Sequence, residues 1–231
     1  MYKSTASRLK QGNLIAEAQW FDRLTRWLSL LFSVYSPLYN VMAFLEWLML
    51  RVRGRVVLLL TVPVLEGVSL FVPSTVQEPI LASMGVMLLL AFMLQVAWAR
   101  AMEHYTLSLL ACYPLHPALR SRVCRFTGYT PGGDLYEVHV SPKAFKAIES
   151  DHREIIRRTQ RDAERITLHC AERSRQFAIS GVTYTGGFGR VGYHAVQHLL
   201  QEAWCGRFPP RFGQRLLYPG KSWSGFVWVN R

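Results

Sequence analysis

Apolar positions along the chain fall into two regimes. Between Trp27 and Trp98 they run nearly uninterrupted, and beyond Tyr113 they recur with helical or strand periodicity. Ile80 to Trp98 (ILASMGVMLLLAFMLQVAW) holds 19 uncharged residues, about 28 Å as a helix, and ends at a Trp beside Arg100. Val56 to Val72 is shorter and carries Pro63, Glu66 and Gly67, with Arg51, Arg53 and Arg55 ahead of it and Pro73-Ser74-Thr75 behind. Both predict membrane spans, the second kinked at its proline. Trp27 to Leu50 is long enough to span but is divided by Pro37 and peppered with Tyr35, Tyr39, Asn40 and Glu46.

Positive charge arbitrates among the three stretches. With two spans, the eight Lys and Arg of residues 1–55, Arg100 and every later cation share one side, while residues 73–79 carry none. That is a hairpin with both termini cytoplasmic and a multi-pass inner-membrane localisation. A third span would place basic residues outside, so residues 14–50 read as interfacial or re-entrant helices, with Trp20, Phe21, Trp27, Phe32, Phe44 and Trp47 at headgroup depth. Beyond Trp98 the apolar pattern continues as a helix until Tyr113-Pro114.

The remaining pattern predicts a small α+β domain. Leu135–Val140 (LYEVHV) has strand composition, and Ser141-Pro142 supplies an N-cap and a first-turn proline. From Lys143 to Arg175 there is no Gly or Pro. Phe145, Ile148, Ile155, Thr159, Ile166, Cys170 and Phe177 recur at helical spacing, which predicts one amphipathic helix of about 30 residues. Phe177–Thr185 and Phe226–Val229 read as strands and Val191–Trp204 as a second helix. The expected architecture is therefore a membrane α-helical hairpin of two spans with N-terminal interfacial helices, followed by a small α+β cytoplasmic domain. Its parts are residues 1–55 (interfacial), 56–112 (hairpin with a helical extension) and 113–231 (basic domain).

Composition adds little to fold but bears on partners. Half of the 231 residues are hydrophobic, the net charge is +12, and nine of those net charges fall within residues 113–231. No signal peptide is evident at the N-terminus. Cys112, Cys124, Cys170 and Cys205 form no close pair, so neither a disulfide nor a zinc knuckle is expected.

Candidate chemistry is sparse. Gly187, Gly189 and Gly192 form a G-x-G-x-x-G between a strand and a helix, the pattern that lets backbone approach a pyrophosphate. Only 39 residues follow it, and the required acid some twenty positions on is absent, so a tight glycine turn is the competing account. His194, His198 and Glu202 fall at i, i+4 and i+8, a spacing able to hold a divalent metal, although Gln197 and Gln201 on the same face suit a solvated surface equally. Gly220-Lys221-Ser222 lacks the upstream glycine of a phosphate loop, since Arg215 stands there. No catalytic constellation and no cofactor are expected. Glu66, inside a span, is a candidate intramembrane polar residue.

Arg153, Arg157, Arg158, Arg161 and Arg165 form a stripe suited to an anionic surface, with a bilayer of anionic headgroups as the simplest partner. Nucleic acid is the lesser alternative, and the aromatic-basic tail containing Arg207, Phe208, Arg211, Phe212, Arg215, Tyr218, Lys221, Trp223 and Trp228 suits it better than the helix does.

As a whole-chain layout, the aromatic-rich FDRLTRWLSLLFSVYSPLYNVMAFLEWLMLR leading into a hydrophobic hairpin and a basic domain resembles plasmid-encoded entry-exclusion proteins of the ExcA type. That resemblance implies an inner-membrane interaction protein of a recipient cell, blocking redundant conjugative transfer by binding a component of the incoming apparatus. It carries over no site residue. The alternative from the residues alone is a membrane-tethered effector or enzyme that binds nucleotide or nucleic acid.

Overall fold

The computed structural model describes residues 20, 22–41, 43–44, 78–79, 82–83, 85–86, 89, 107–184 and 187–230. Its centre is a five-stranded mixed sheet built from β1 (Leu110–Pro114), β2 (Asp134–Val140), β3 (Phe177–Thr183), β4 (Leu200–Arg207) and β5 (Ser224–Asn230), in the order β1-β2-β3-β5-β4. β2 and β3 run parallel, and every other neighbouring pair is antiparallel. A helix α1 covers residues 22–32. It is followed by α2 (Arg120–Thr127), α3 (Pro142–Ile148), α4 (His152–Arg173), α5 (Phe188–Val196) and α6 (Phe212–Leu217). A parallel pair needs a crossover, and α3 with α4 supplies it between β2 and β3.

Strand alternation divides the interior into two clusters. Leu135, Ala178, Val182 and Val227 meet Phe32, Val34, Tyr35, Val123 and Phe208 on one face. Tyr136, Val138, Ile179, Phe226 and Trp228 meet Ala163, Ile166, Cys170 and Val196 on the other. Each fully buried Ile or Leu contributes about 1.5–3 kcal/mol of transfer free energy. The sheet is thus covered on both sides, which is why all seven residues of β3 are buried.

Several sequence expectations are corrected. The expected architecture of a membrane hairpin with a cytoplasmic domain, with its multi-pass inner-membrane localisation, does not stand: no helix among the described residues is long and apolar enough to cross a membrane. Residues 56–72 and most of 80–98, including Glu66, lie outside the described residues. The aromatic stretch read as headgroup-level helices is in part core: Phe32, Val34 and Tyr35 are buried against the sheet, and Ala43 is buried where Gly213 of α6 approaches it. An apolar side chain answers equally to lipid and to a sheet face, and here the sheet face takes it.

The last residues of the expected helix running to Tyr113 form β1 instead, while residues 99–106 lie outside the described residues. Asp162, fully buried on α4, accepts the backbone N–H groups of Ser108 (2.9 Å), Leu109 (2.7 Å) and Leu110 (3.0 Å), which draws the chain out of helical pairing and onto β2. The single 30-residue helix is two helices. Ser141 caps α3 and Asp151 caps α4, with Asp151 Oδ1 accepting from Glu154 N–H at 3.0 Å. The expected helix Val191–Trp204 stops at Val196, because residues from Leu200 onward pair with β5. Tertiary pairing overrides local periodicity there.

Asp162→Ala takes the partner from the buried amides of Leu109 and Leu110 and the part-buried amide of Ser108. It should lower stability by about 3 kcal/mol or more in urea unfolding, with Asp162→Asn losing less.

Candidate functional site

Two features stand out when polar groups are followed through the fold: a buried carboxyl cluster under the N-terminal segment, and the surface which that segment presents. Glu137 lies mid-strand in β2, fully buried on the α1-facing side of the sheet. Its Oε1 accepts the Val34 backbone N–H at 3.0 Å and lies 2.8 Å from His139 Nε2. The Tyr113 hydroxyl is 2.6 Å from that same nitrogen, and its ring stacks on the imidazole at 5.4 Å. Tyr35, wholly buried, packs edge-on to Phe208 and tilted against Phe126. Burial first, and then the neighbouring Glu137, push both Tyr113 and Tyr35 well above the ordinary phenol range, so both stay neutral hydroxyls. The Val34 amide on Glu137 and the buried ring of Tyr35 hold this turn onto the sheet, while Glu137 Oε2 and the Tyr35 hydroxyl are buried with no hydrogen-bond partner among the described residues.

From that fixed point the chain is gripped again. Arg211 Nη1 donates to the carbonyls of Val34 (2.7 Å) and Ser36, and its guanidinium sits 5.6 Å over the Tyr39 ring. Gly213 N–H donates to Asn40 Oδ1 at 3.2 Å. A Cβ on Gly213 would stand 2.4 Å from Ala43 Cβ, so glycine is what allows α6 to approach this closely.

The outward side of this assembly is aromatic and basic. Trp20, helical two residues ahead of α1, and Trp27 on α1 are seven residues apart, the spacing of one helical stripe; each is 65% exposed, with exposed Arg23 between them. Trp27 packs on His116 at 4.6 Å, just ahead of α2. Phe212 is also 65% exposed, and Leu38, Val41 and Phe44 lie open on the segment that α6 contacts. α2 contributes Arg122 and Arg125 and contains no acid. Among the described residues, Asp22 is paired with Arg173 and Asp134 with Arg26 (3.4 Å).

The residues singled out by pattern are placed as follows. Gly187 opens α5, while Gly189 and Gly192 face the sheet. Their added Cβ atoms would lie 2.9 Å from Phe226 and from Trp228 respectively, so both serve close helix-to-sheet packing. His194 is on α5, His198 follows the end of that helix, and Glu202 is in β4, so the three do not share a helix face. No cluster of three or more His, Cys, Asp or Glu able to hold a metal occurs among the described residues.

The arginine stripe of α4 is substantially engaged. Glu154 accepts from Arg157 Nε (2.7 Å) and Arg158 Nε (2.6 Å), and these hydrogen bonds hold its carboxyl at about 2. Arg161 donates to Ser108 Oγ at 2.8 Å. Arg153 and Arg165 are exposed. In the aromatic-basic tail, Phe208, Trp223 and Trp228 are core residues, which leaves Phe212 as the exposed large aromatic.

Sequence reasoning passed over Glu137, His139 and Asp162. The signal for the first two was present: Glu and His at i and i+2 in a buried strand must share one face. No protein-family model, curated protein or solved structure matches this chain.

Glu137→Leu removes the acceptor of the Val34 amide. It should destabilise the fold by about 3 kcal/mol and speed hydrogen exchange at Val34 before global unfolding, as followed by NMR. The raised phenols contribute stability that is complete below their unfolded pKa, near 10, and is lost as pH rises beyond it. Alkaline denaturation curves of Tyr35→Phe should therefore be shallower than those of the parent.

Proposed function

We propose that this chain is an interaction protein whose α1–α2–α6 surface docks onto a partner protein bearing acidic groups. The observation that carries this reading is the exposed stripe of Trp20, Arg23 and Trp27, with Trp27 packed on His116 just ahead of α2, which bears Arg122 and Arg125, while Asp22 and Asp134 are already paired with arginines. Trp and Arg are the side chains that most often dominate binding energy, because they combine large apolar area with directional donors. Isolated exposed apolar residues are ordinary, but Trp20 and Trp27 repeat on one helical stripe, and Phe212 opens the helix α6 whose Gly213 contacts Asn40 and Ala43 of the segment that follows α1. The fastening matters as well. The contacts of Glu137 and Arg211 with residues 34–36 order the segment before binding, so association loses less conformational entropy.

The sequence resemblance supplies a setting, conjugative entry exclusion, in which the partner is a component of the incoming transfer apparatus. Recipient cells expressing the chain should take up the cognate plasmid less often than cells carrying an empty vector. Trp27→Ala combined with Phe212→Ala should restore uptake, since each truncation weakens a hot spot by about 2 kcal/mol, roughly thirtyfold in affinity. Both side chains are exposed, so the fold should survive, and circular dichroism checks that. Uptake equal to the empty-vector control with the intact chain present would remove the exclusion setting. Sedimentation of the chain with phosphatidylglycerol vesicles, abolished by the same pair, would replace the protein partner.

A further inference from the structure

The two edges of the sheet are treated differently. All five residues of β1 are buried, whereas β4 presents Gln201, Glu202, Cys205 and Arg207 to solvent along eight residues of outer strand. An uncovered outer strand offers unpaired backbone donors and acceptors to another chain.

The register of β4 on β5 makes this edge specific. Glu202 lies opposite Trp228, Cys205 opposite Phe226 and Arg207 opposite Ser224, while Trp204 is opposite Val227. Residues 224, 226 and 228 share one face of β5, so Glu202, Cys205 and Arg207 share that face of β4. Arg207 lies five positions after Glu202, an odd offset that would ordinarily put them on opposite faces. The irregularity between Glu202 and Trp204 absorbs one residue and brings them into phase.

We propose that β4 pairs antiparallel with β4 of a second copy of this chain, about a two-fold axis passing at Cys205. Counting outward from that axis, with the bulge taken as one position, Arg207 of each copy stands opposite Glu202 of the other, and Cys205 faces its own counterpart. The arrangement is self-complementary, as a two-fold interface requires: two opposite-charge pairs flank a small central residue. Directly opposed residues on antiparallel strands have Cβ atoms about 4.5–5.5 Å apart, within reach for both kinds of contact. The Glu202 amide already donates to the Tyr193 hydroxyl at 3.3 Å, so the new backbone ladder runs over Trp204 to Gly206, symmetric about Cys205, and the Glu202–Arg207 contact is made by side chains. The aromatic-basic surface lies on other elements, so this pairing stands apart from the proposed partner docking.

The test uses the full-length chain in a Cys124→Ser background, since Cys124 is half-exposed whereas Cys112 and Cys170 are buried. Partial burial and Glu202 raise the Cys205 thiol, so labelling is done at mildly alkaline pH. A short bis-maleimide should give an adduct of two chains, lost in Cys205→Ser. Arg207→Glu should reduce its yield roughly tenfold by setting like charges opposite each other, and Glu202→Arg combined with Arg207→Glu should restore it. Single-chain labelling of Cys205 with no adduct, or a yield indifferent to Arg207→Glu, would overturn the proposal. So would a double variant that stays as weak as the single one.

Discussion

A carboxyl with no exposed surface costs the fold several kcal/mol unless donors compensate it, and one such group lies against each face of this sheet. Asp162 reaches across from α4 and takes the amides of residues 108–110, and Glu137 takes the amide of Val34 from within β2. Neither acceptor is near its donors in sequence. Between them they set where the chain joins the sheet on either side of residues 45–106, and the layers that follow depend on that placement. β1 exists because Asp162 receives it, and α1 covers the second face because Glu137 and Arg211 hold the turn after it.

The same economy governs the cations. A chain of net charge +12 invites reading every arginine as a binding residue. In the fold, Arg157 and Arg158 converge on Glu154, Arg173 meets Asp22, Arg161 serves Ser108, and Arg211 holds two carbonyls. These are structural contacts made by side chains whose spacing on a helix resembles a binding stripe. Arg23, on the Trp20–Trp27 stripe, and Arg122 and Arg125, on the helix just after His116, lie on elements with no obvious stripe in sequence. Their common surface is assembled from α1 and α2, which about 90 residues separate, and it becomes visible only once both elements lie on the sheet.

The glycines show the same shift of meaning. G-x-G-x-x-G read along the chain suggests a phosphate cradle, yet Gly189 and Gly192 lie under Phe226 and Trp228, where a methyl group would collide with an aromatic ring. Close backbone approach is the shared physical property. In one context it admits a pyrophosphate, and here it admits the indole and phenyl groups of β5. A motif records a requirement for space and leaves open what fills it.

Elements whose reason is local were legible from the sequence: the alternating strand at 135–140, the Ser141-Pro142 helix start, the apolar stripe of Thr159, Ile166 and Cys170, and the strands near 177–183 and 226–229. Such features follow from propensity, capping and period, each a property of a few consecutive residues. β1 and β4 were read as helix because their local pattern permits helix, and only the amides captured by Asp162 and the pairing with β5 turn them into strands. Likewise, hydrophobicity around residues 27–44 marked those residues as avoiding water but did not say what replaces it. Apolar transfer is non-directional, so sequence determines that a side chain leaves water, and tertiary structure alone decides whether a sheet, a helix or another chain receives it.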